Sequence, residues 1–244
     1  EARRLYLTVG LFYNDRIFGE IHALLRFLGL STWEWVRLIH DNITNLSPEI
    51  QSLYQNFIDE TKNELSPTKA EAIKKIMENF DKYNSGEIGG NLIYKYRGLA
   101  IISHFPRLQE AAFYYLRKYL QQKNQNCDEI VNEIAILSQY RKFNLLDDLN
   151  FGITKTFEYD LIRLIRDAKM ARTGASLEDL HYPICIRIAH SNQQKESINR
   201  QLNFYGKNSD GLTLLMYRFP IKRFYRAVEE VTDVETVKGT RGNK

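Results

Sequence analysis

Residues 151–165 read FGITKTFEYDLIRLI, and the class of fold turns on them. Phe151, Ile153, Phe157 and Tyr159 fall on alternate positions, the period of a strand with one covered face. Lys155 shares that face and interrupts the pattern. From Leu161 the spacing changes: Leu161, Ile162, Leu164 and Ile165 predict a short helix. A second alternation follows in YPICIRIA (182–189), with Ile184, Ile186 and Ile188 on one face. A helix over about 193–205 comes next, then a turn at Asn208-Ser209-Asp210-Gly211 and an amphipathic segment from Leu212.

Upstream of residue 148 the periodicity is helical. Leu5, Val9 and Phe12 mark a helix within 2–14, and Asp15 is placed to cap a second over 17–29, which Gly29 ends. Ser31 or Thr32 caps a third helix through Trp33, Val36, Ile39 and Ile43. Ser47-Pro48 opens a fourth, with proline at the first helical position, and Ser66-Pro67 repeats the device for a fifth that ends near Phe80. Segments 92–103 and 107–122, split by Phe105-Pro106, and 127–140 complete the series. The expected class is mainly α: a multi-helix body over 1–148, then a small α+β portion over 149–231 with two or so strands plus helices, packed on the body. A loose polar tail covers 232–244.

The 244 residues are long enough to bury a real core, and five prolines suit long helices. The 34 basic and 30 acidic residues are too balanced to imply nucleic acid on charge alone. No apolar run is long enough for a transmembrane helix, no signal peptide is read, and no membrane partner is expected. Cys127 and Cys185 make no disulfide framework, which points to a reducing cytoplasm. The start, Glu1-Ala2-Arg3-Arg4-Leu5, enters an apolar pattern without an initiator Met, so a piece of a longer protein is expected.

Several stretches invite a chemical reading. NFDKYNSGEIGGNL (79–92) resembles a calcium loop, but counting from Asp81 puts Tyr83 at position 3, Ser85 at position 5 and Leu92 at position 12. One carboxylate cannot replace the water shell of a hard cation, so a glycine hinge at Gly86, Gly89 and Gly90 between helices is expected, with Leu92 starting the next helix. His181 and His190 bracket a strand and would lie roughly 30 Å apart along it, too far to share a metal. His22, His40 and His104 have no visible acid or nucleophile partner. Asp147-Asp148 and Asp128-Glu129 point about 100° apart on a helix and make no shared proton site. No catalytic, cofactor-binding or metal residue is therefore expected. The sharpest surface feature is YRFPIKRFYRAVEE (217–230), where basic and aromatic residues interleave. Arg218, Lys222, Arg223, Tyr225 and Arg226 form a candidate binding surface that could grip single-stranded nucleic acid. The alternative is that the rings face the core while the cationic heads stay solvated.

QQKESINRQLNFYGKNSDGLTLLMYRFPIKRFYRAV (193–228) resembles the C-terminal tail of cobalamin-binding radical SAM proteins. There a Gln begins a helix, a Tyr-Gly or Phe-Gly ends it, a Gly-Leu follows, and a basic stretch closes the chain. Gln194, Tyr205-Gly206, Gly211-Leu212, Arg218 and Phe224–Arg226 occupy those places. LYLTVGLFYNDRIFGEIHALLRFLG (5–29) is similar to the segment that follows the radical SAM barrel, and ILSQYRKFNLLDD (136–148) to the bridge into the final strands. The CxxxCxxC that holds the iron–sulfur cluster is missing, as is the DxHxxG of the cobalamin site, so no catalytic residue carries over. The resemblance implies a noncatalytic accessory region partnered by upstream domains of the same polypeptide. S-adenosylmethionine, the cluster and cobalamin would belong to that parent and not to this chain. Two other readings stay open: a nucleic-acid-binding module, and a helical protein-interaction domain in which Tyr114, Tyr115 and Tyr119 form a rim.

Overall fold

The computed structural model describes residues 1–85, 91–166 and 176–231. The body is built from α1 (Ala2–Phe12), α2 (Gly19–Phe27), α3 (Thr32–His40), α4 (Pro48–Glu64), α5 (Lys69–Glu78), α6 (Phe80–Ser85), α7 (Leu92–Ser103), α8 (Phe105–Gln122) and α9 (Asp128–Lys142). Local chemistry sets many of the ends. Ser31 Oγ accepts from the Glu34 N–H, and Ser47 Oγ accepts from the Ile50 N–H with Pro48 in the first turn. Gly29 leaves α2 at φ +68°, a left-handed angle that a side chain rarely adopts.

The centre of the body is aromatic. Trp35 is fully buried, edge-on to Phe12 and Phe18, and its indole N–H donates to the Ala112 carbonyl at 3.3 Å. Phe18 stacks on Phe12 (5.6 Å) and Phe105 (6.4 Å), so α1, the α2 entry and α8 share one set of rings.

Beyond α9 come β1 (Gly152–Phe157), α10 (Leu161–Arg166), β2 (Ile184–Ala189), α11 (Asn192–Tyr205), α12 (Ser209–Arg218) and β3 (Ala227–Glu230). The strands form one antiparallel sheet in the order β1-β2-β3, with Phe157 opposite Ile184, Ile153 opposite Ile188, and Ile188 opposite Val228. Ile184, Ile186 and Ile188 are buried, as their alternation predicts. β3 has little sequence signal. It lies at the sheet edge, with Glu229 registered opposite Arg187 of β2, and exposed charge on an edge strand discourages further pairing. α10 packs on α2 and α12 on α7, and one continuous cluster of buried apolar side chains runs from Leu7 to Tyr225. At the turn between α11 and α12, Asn208 accepts from the Gly211 N–H. A Cβ on Gly211 would overlap the Tyr205 carbonyl oxygen, so the close approach of the two helices requires glycine there.

The fold class stands as expected, and several local expectations need correction. Asp15 caps nothing: it sits at φ 53° and ion-pairs with Arg97 of α7. The fifth helix is capped by Thr68, whose hydroxyl accepts from the Glu71 N–H; a T-x-x-E spacing one residue past Ser66-Pro67 decides the start. Phe80 begins α6 and does not end α5. Asn79 breaks the helix between them, its amide donating to the Lys75 carbonyl at 2.9 Å. The Phe105-Pro106 pair is the first turn of α8, and the interruption falls at His104. Tyr115 and Tyr119 are buried; of the three expected rim tyrosines only Tyr114 is exposed. Leu92 starts α7 as expected, whereas the glycine hinge and the tail over 232–244 lie outside the described residues.

Candidate functional site

Three sequence-distant stretches meet at a buried carboxylate. Glu20, in the first turn of α2, is 1% exposed and ion-pairs with both Arg141 and Lys142 at the end of α9. Lys142 is fully enclosed and also donates to Ser138 Oγ at 3.1 Å, with the Tyr225 ring 5.4 Å from its ammonium. Burial pushes the Glu20 carboxyl up, but the Lys142 and Arg141 charges outweigh it and hold the group below the ordinary carboxylate value. Burial pulls Lys142 down to about 8 against the attraction of Glu20.

Arg226 completes this node. Its guanidinium donates to the carbonyls of Tyr140 (2.9 Å), Phe143 (2.7 Å), Asn144 (3.2 Å) and Asp148 (3.3 Å), and it lies 4.5 Å from the Phe151 ring. The last carbonyls of a helix have no intrahelical partner, and a fork of N–H donors satisfies them together. Of the five residues expected to form a binding surface, Tyr225 and Arg226 therefore lie inside. Arg218, Lys222 and Arg223 are exposed, the last two on a short 3-10 turn over Ile221–Arg223. Phe224 and Tyr225 face the core while Lys222 and Arg223 face solvent, the arrangement in which rings pack and cationic heads stay solvated, and Arg226 departs from it by going in with the rings.

Three of the five histidines make packing or hydrogen-bond contacts inside the fold. His22 Nε2 donates to the Phe12 carbonyl at 2.9 Å, and burial lowers its pKa to about 4. His190 Nε2 donates to the Phe224 carbonyl at 2.8 Å, and His40 bonds Thr8 at 3.0 Å; burial lowers both rings' pKa. Both cysteines are free thiols, and burial raises Cys127 to about 11, with Asp128 adding to it, so it stays protonated. Cys127 borders a cleft of about 510 Å³ with Asp128, Glu129, Glu178, Tyr159 and His181. Tyr159 and His181 face each other across 5.1 Å, and the Tyr159 hydroxyl donates to Glu129 at 3.2 Å. Among the described residues no group of His, Cys, Asp and Glu has the placement of a metal site, and no helix is long and apolar enough to cross a membrane.

The larger concavity is a groove of about 720 Å³ along the α8–α9 seam. One wall follows α8 from Phe105 to Gln121, and the other carries Ala135, Gln139 and Phe143. Tyr114 and Phe143 are its exposed rings, and Arg117 and Lys118 lie on its rim.

No protein-family model, curated protein or solved structure matches the chain. The buried node was not anticipated, although the sequence carries a signal. Glu20 falls between Ile17, Ile21 and Leu24 on the apolar face of α2, and Lys142 continues the buried series Ile134, Ser138 on α9. A charge at a core position of a helix requires a partner, and each of these two supplies the other.

Proposed function

We propose that this chain is a noncatalytic accessory domain of a cobalamin-dependent radical SAM enzyme, shaping or covering the substrate site of the upstream domains in a reducing cytoplasm. The observation that carries the reading is the convergence at Glu20. The stretches similar to that family, 5–29, 136–148 and 193–228, contribute Glu20, the Arg141–Lys142 pair and Arg226 to one buried node. A resemblance scattered along the chain thus corresponds to one packed unit.

The donor set supports a noncatalytic role. An iron–sulfur cluster needs several thiolates, and this chain offers two thiols on separate elements, one held protonated by burial. The residues here do not fit the cluster, and no reaction step is assigned to them. The nucleic-acid reading loses ground because two of its five residues are interior.

Anaerobic purification of the natural full-length polypeptide, followed by iron, sulfide and cobalamin assays, tests the proposal. The expected result is cluster and cobalamin in the full-length polypeptide and neither in residues 1–244 alone. A full-length polypeptide without CxxxCxxC and without either cofactor overturns it.

A further inference from the structure

We infer that the α8–α9 groove docks an amphipathic helix of a partner protein that carries acidic side chains beside its apolar anchors. This goes beyond the accessory reading and stands without it. Shape comes first. From Phe105 to Gln121 the α8 wall is about 24 Å long at helical rise, the length of a helix of four to five turns. Both walls are helices whose backbone groups bond internally, so the groove offers no free ladder to an extended peptide. A helix brings its own satisfied backbone and needs only side-chain pockets.

The rings supply those pockets. Phe105 and Phe113 form a buried floor, while Tyr114 is 60% exposed and Phe143 39% exposed. Large rings left half uncovered beside a concave seam suit the anchor positions of a bound helix.

Charge selects the partner. Glu110 on the rim is answered by Arg107 at 3.1 Å. Arg117 bonds only neutral groups, the Asn132 side-chain oxygen (2.6 Å) and the Phe113 carbonyl (3.4 Å), and Lys118 lies 5.9 Å from the Tyr115 ring. Among the described residues no carboxylate forms an ion pair with either cation. Two such cations beside an apolar seam complement carboxylates on the flank of an incoming helix. They do not make the continuous cationic track that a nucleic-acid strand requires.

The test uses two labelled helix-forming peptides of about 18 residues with Leu and Phe anchors at i, i+4, i+7 spacing, one flanked by Glu and one by Lys. Fluorescence anisotropy is read against the whole chain. The Glu-flanked peptide is expected to bind saturably, and to weaken by about tenfold or more with Lys118→Glu and with Tyr114→Ala. Both variants alter exposed side chains, so their circular dichroism and thermal midpoints should match the parent's. The Lys-flanked peptide should bind Lys118→Glu better than the parent. The inference is overturned by no saturable binding of the Glu-flanked peptide, by equal binding of both peptides, or by indifference to both variants. Sedimentation adds one more outcome: a dimer that Lys118→Glu dissolves makes a second copy the occupant and overturns the partner helix.

Discussion

Arg226 and Lys118 are both cations among aromatic side chains, and the chain uses them in opposite ways. Arg226 is buried against Phe151 with four carbonyls around its guanidinium, whereas Lys118 stands exposed on the rim of a groove that holds Tyr114. Both stretches interleave basic and aromatic residues, so composition cannot separate the two sites. What separates them is the supply of acceptors. The end of α9 and the segment that follows it present a cluster of carbonyls that makes it favourable to bury a guanidinium, and the face of α8 presents no such cluster. An interleaved basic–aromatic run is therefore informative only once its nearest unsatisfied helix end is known.

The most severe way to break this contrast is to remove the carboxylate at the node. Glu20→Ala leaves Lys142 enclosed without its counter-charge and should cost about 3–5 kcal/mol in denaturant unfolding; a cost below about 1 kcal/mol would make the node no more structural than the rim. Arg226→Lys keeps the charge but loses the planar fork, and should lower stability by about 2–3 kcal/mol. Acid sharpens the contrast further. His22, His40 and His190 all have folded pKa values below the ordinary 6.5, His22 at about 4. Between those values the unfolded chain binds more protons than the folded one. The stabilisation is complete above the unfolded pKa and is lost as pH falls toward the folded one. From pH 7 to pH 5 His22 alone should remove about 2 kcal/mol, and His22→Gln should flatten that slope. The smallest effect is expected on the other side of the comparison: Tyr114→Ala and Lys118→Glu should each change stability by no more than about 0.5 kcal/mol, read as an unshifted urea midpoint.

Elements fixed by neighbours in the chain were legible in the sequence. The isoleucine alternation at Ile184, Ile186 and Ile188, the serine caps at Ser31 and Ser47, and the stop at Gly29 all act within a few residues. The Thr68 cap and the Asn79 break are local signals as well, and the larger departures fall where the deciding contact is distant. Asp15 looks like a helix cap until Arg97 approaches it, and Tyr115 and Tyr119 look like rim residues until the neighbours of α8 cover that arc. β3 reads weakly because its pairing comes from β2, some forty residues upstream. The groove was legible only in part: Tyr114 could be named from its position on α8, but Phe143 belongs to another element, and no pattern in the sequence brings the two together.

The node also bears on how the chain is made. Glu20 waits for partners 121 and 122 positions downstream, and the Tyr225 hydroxyl bonds the Asp15 carbonyl across 210 positions. During synthesis at roughly 5–20 residues per second, the first two helices are exposed for about ten seconds or more before residue 226 emerges. Through that interval α2 carries a carboxylate on its apolar face, and that charge discourages premature association of the helix with other nascent chains. The same residue that later joins α2 to the end of α9 leaves a charge on the apolar face of α2 until those partners are made.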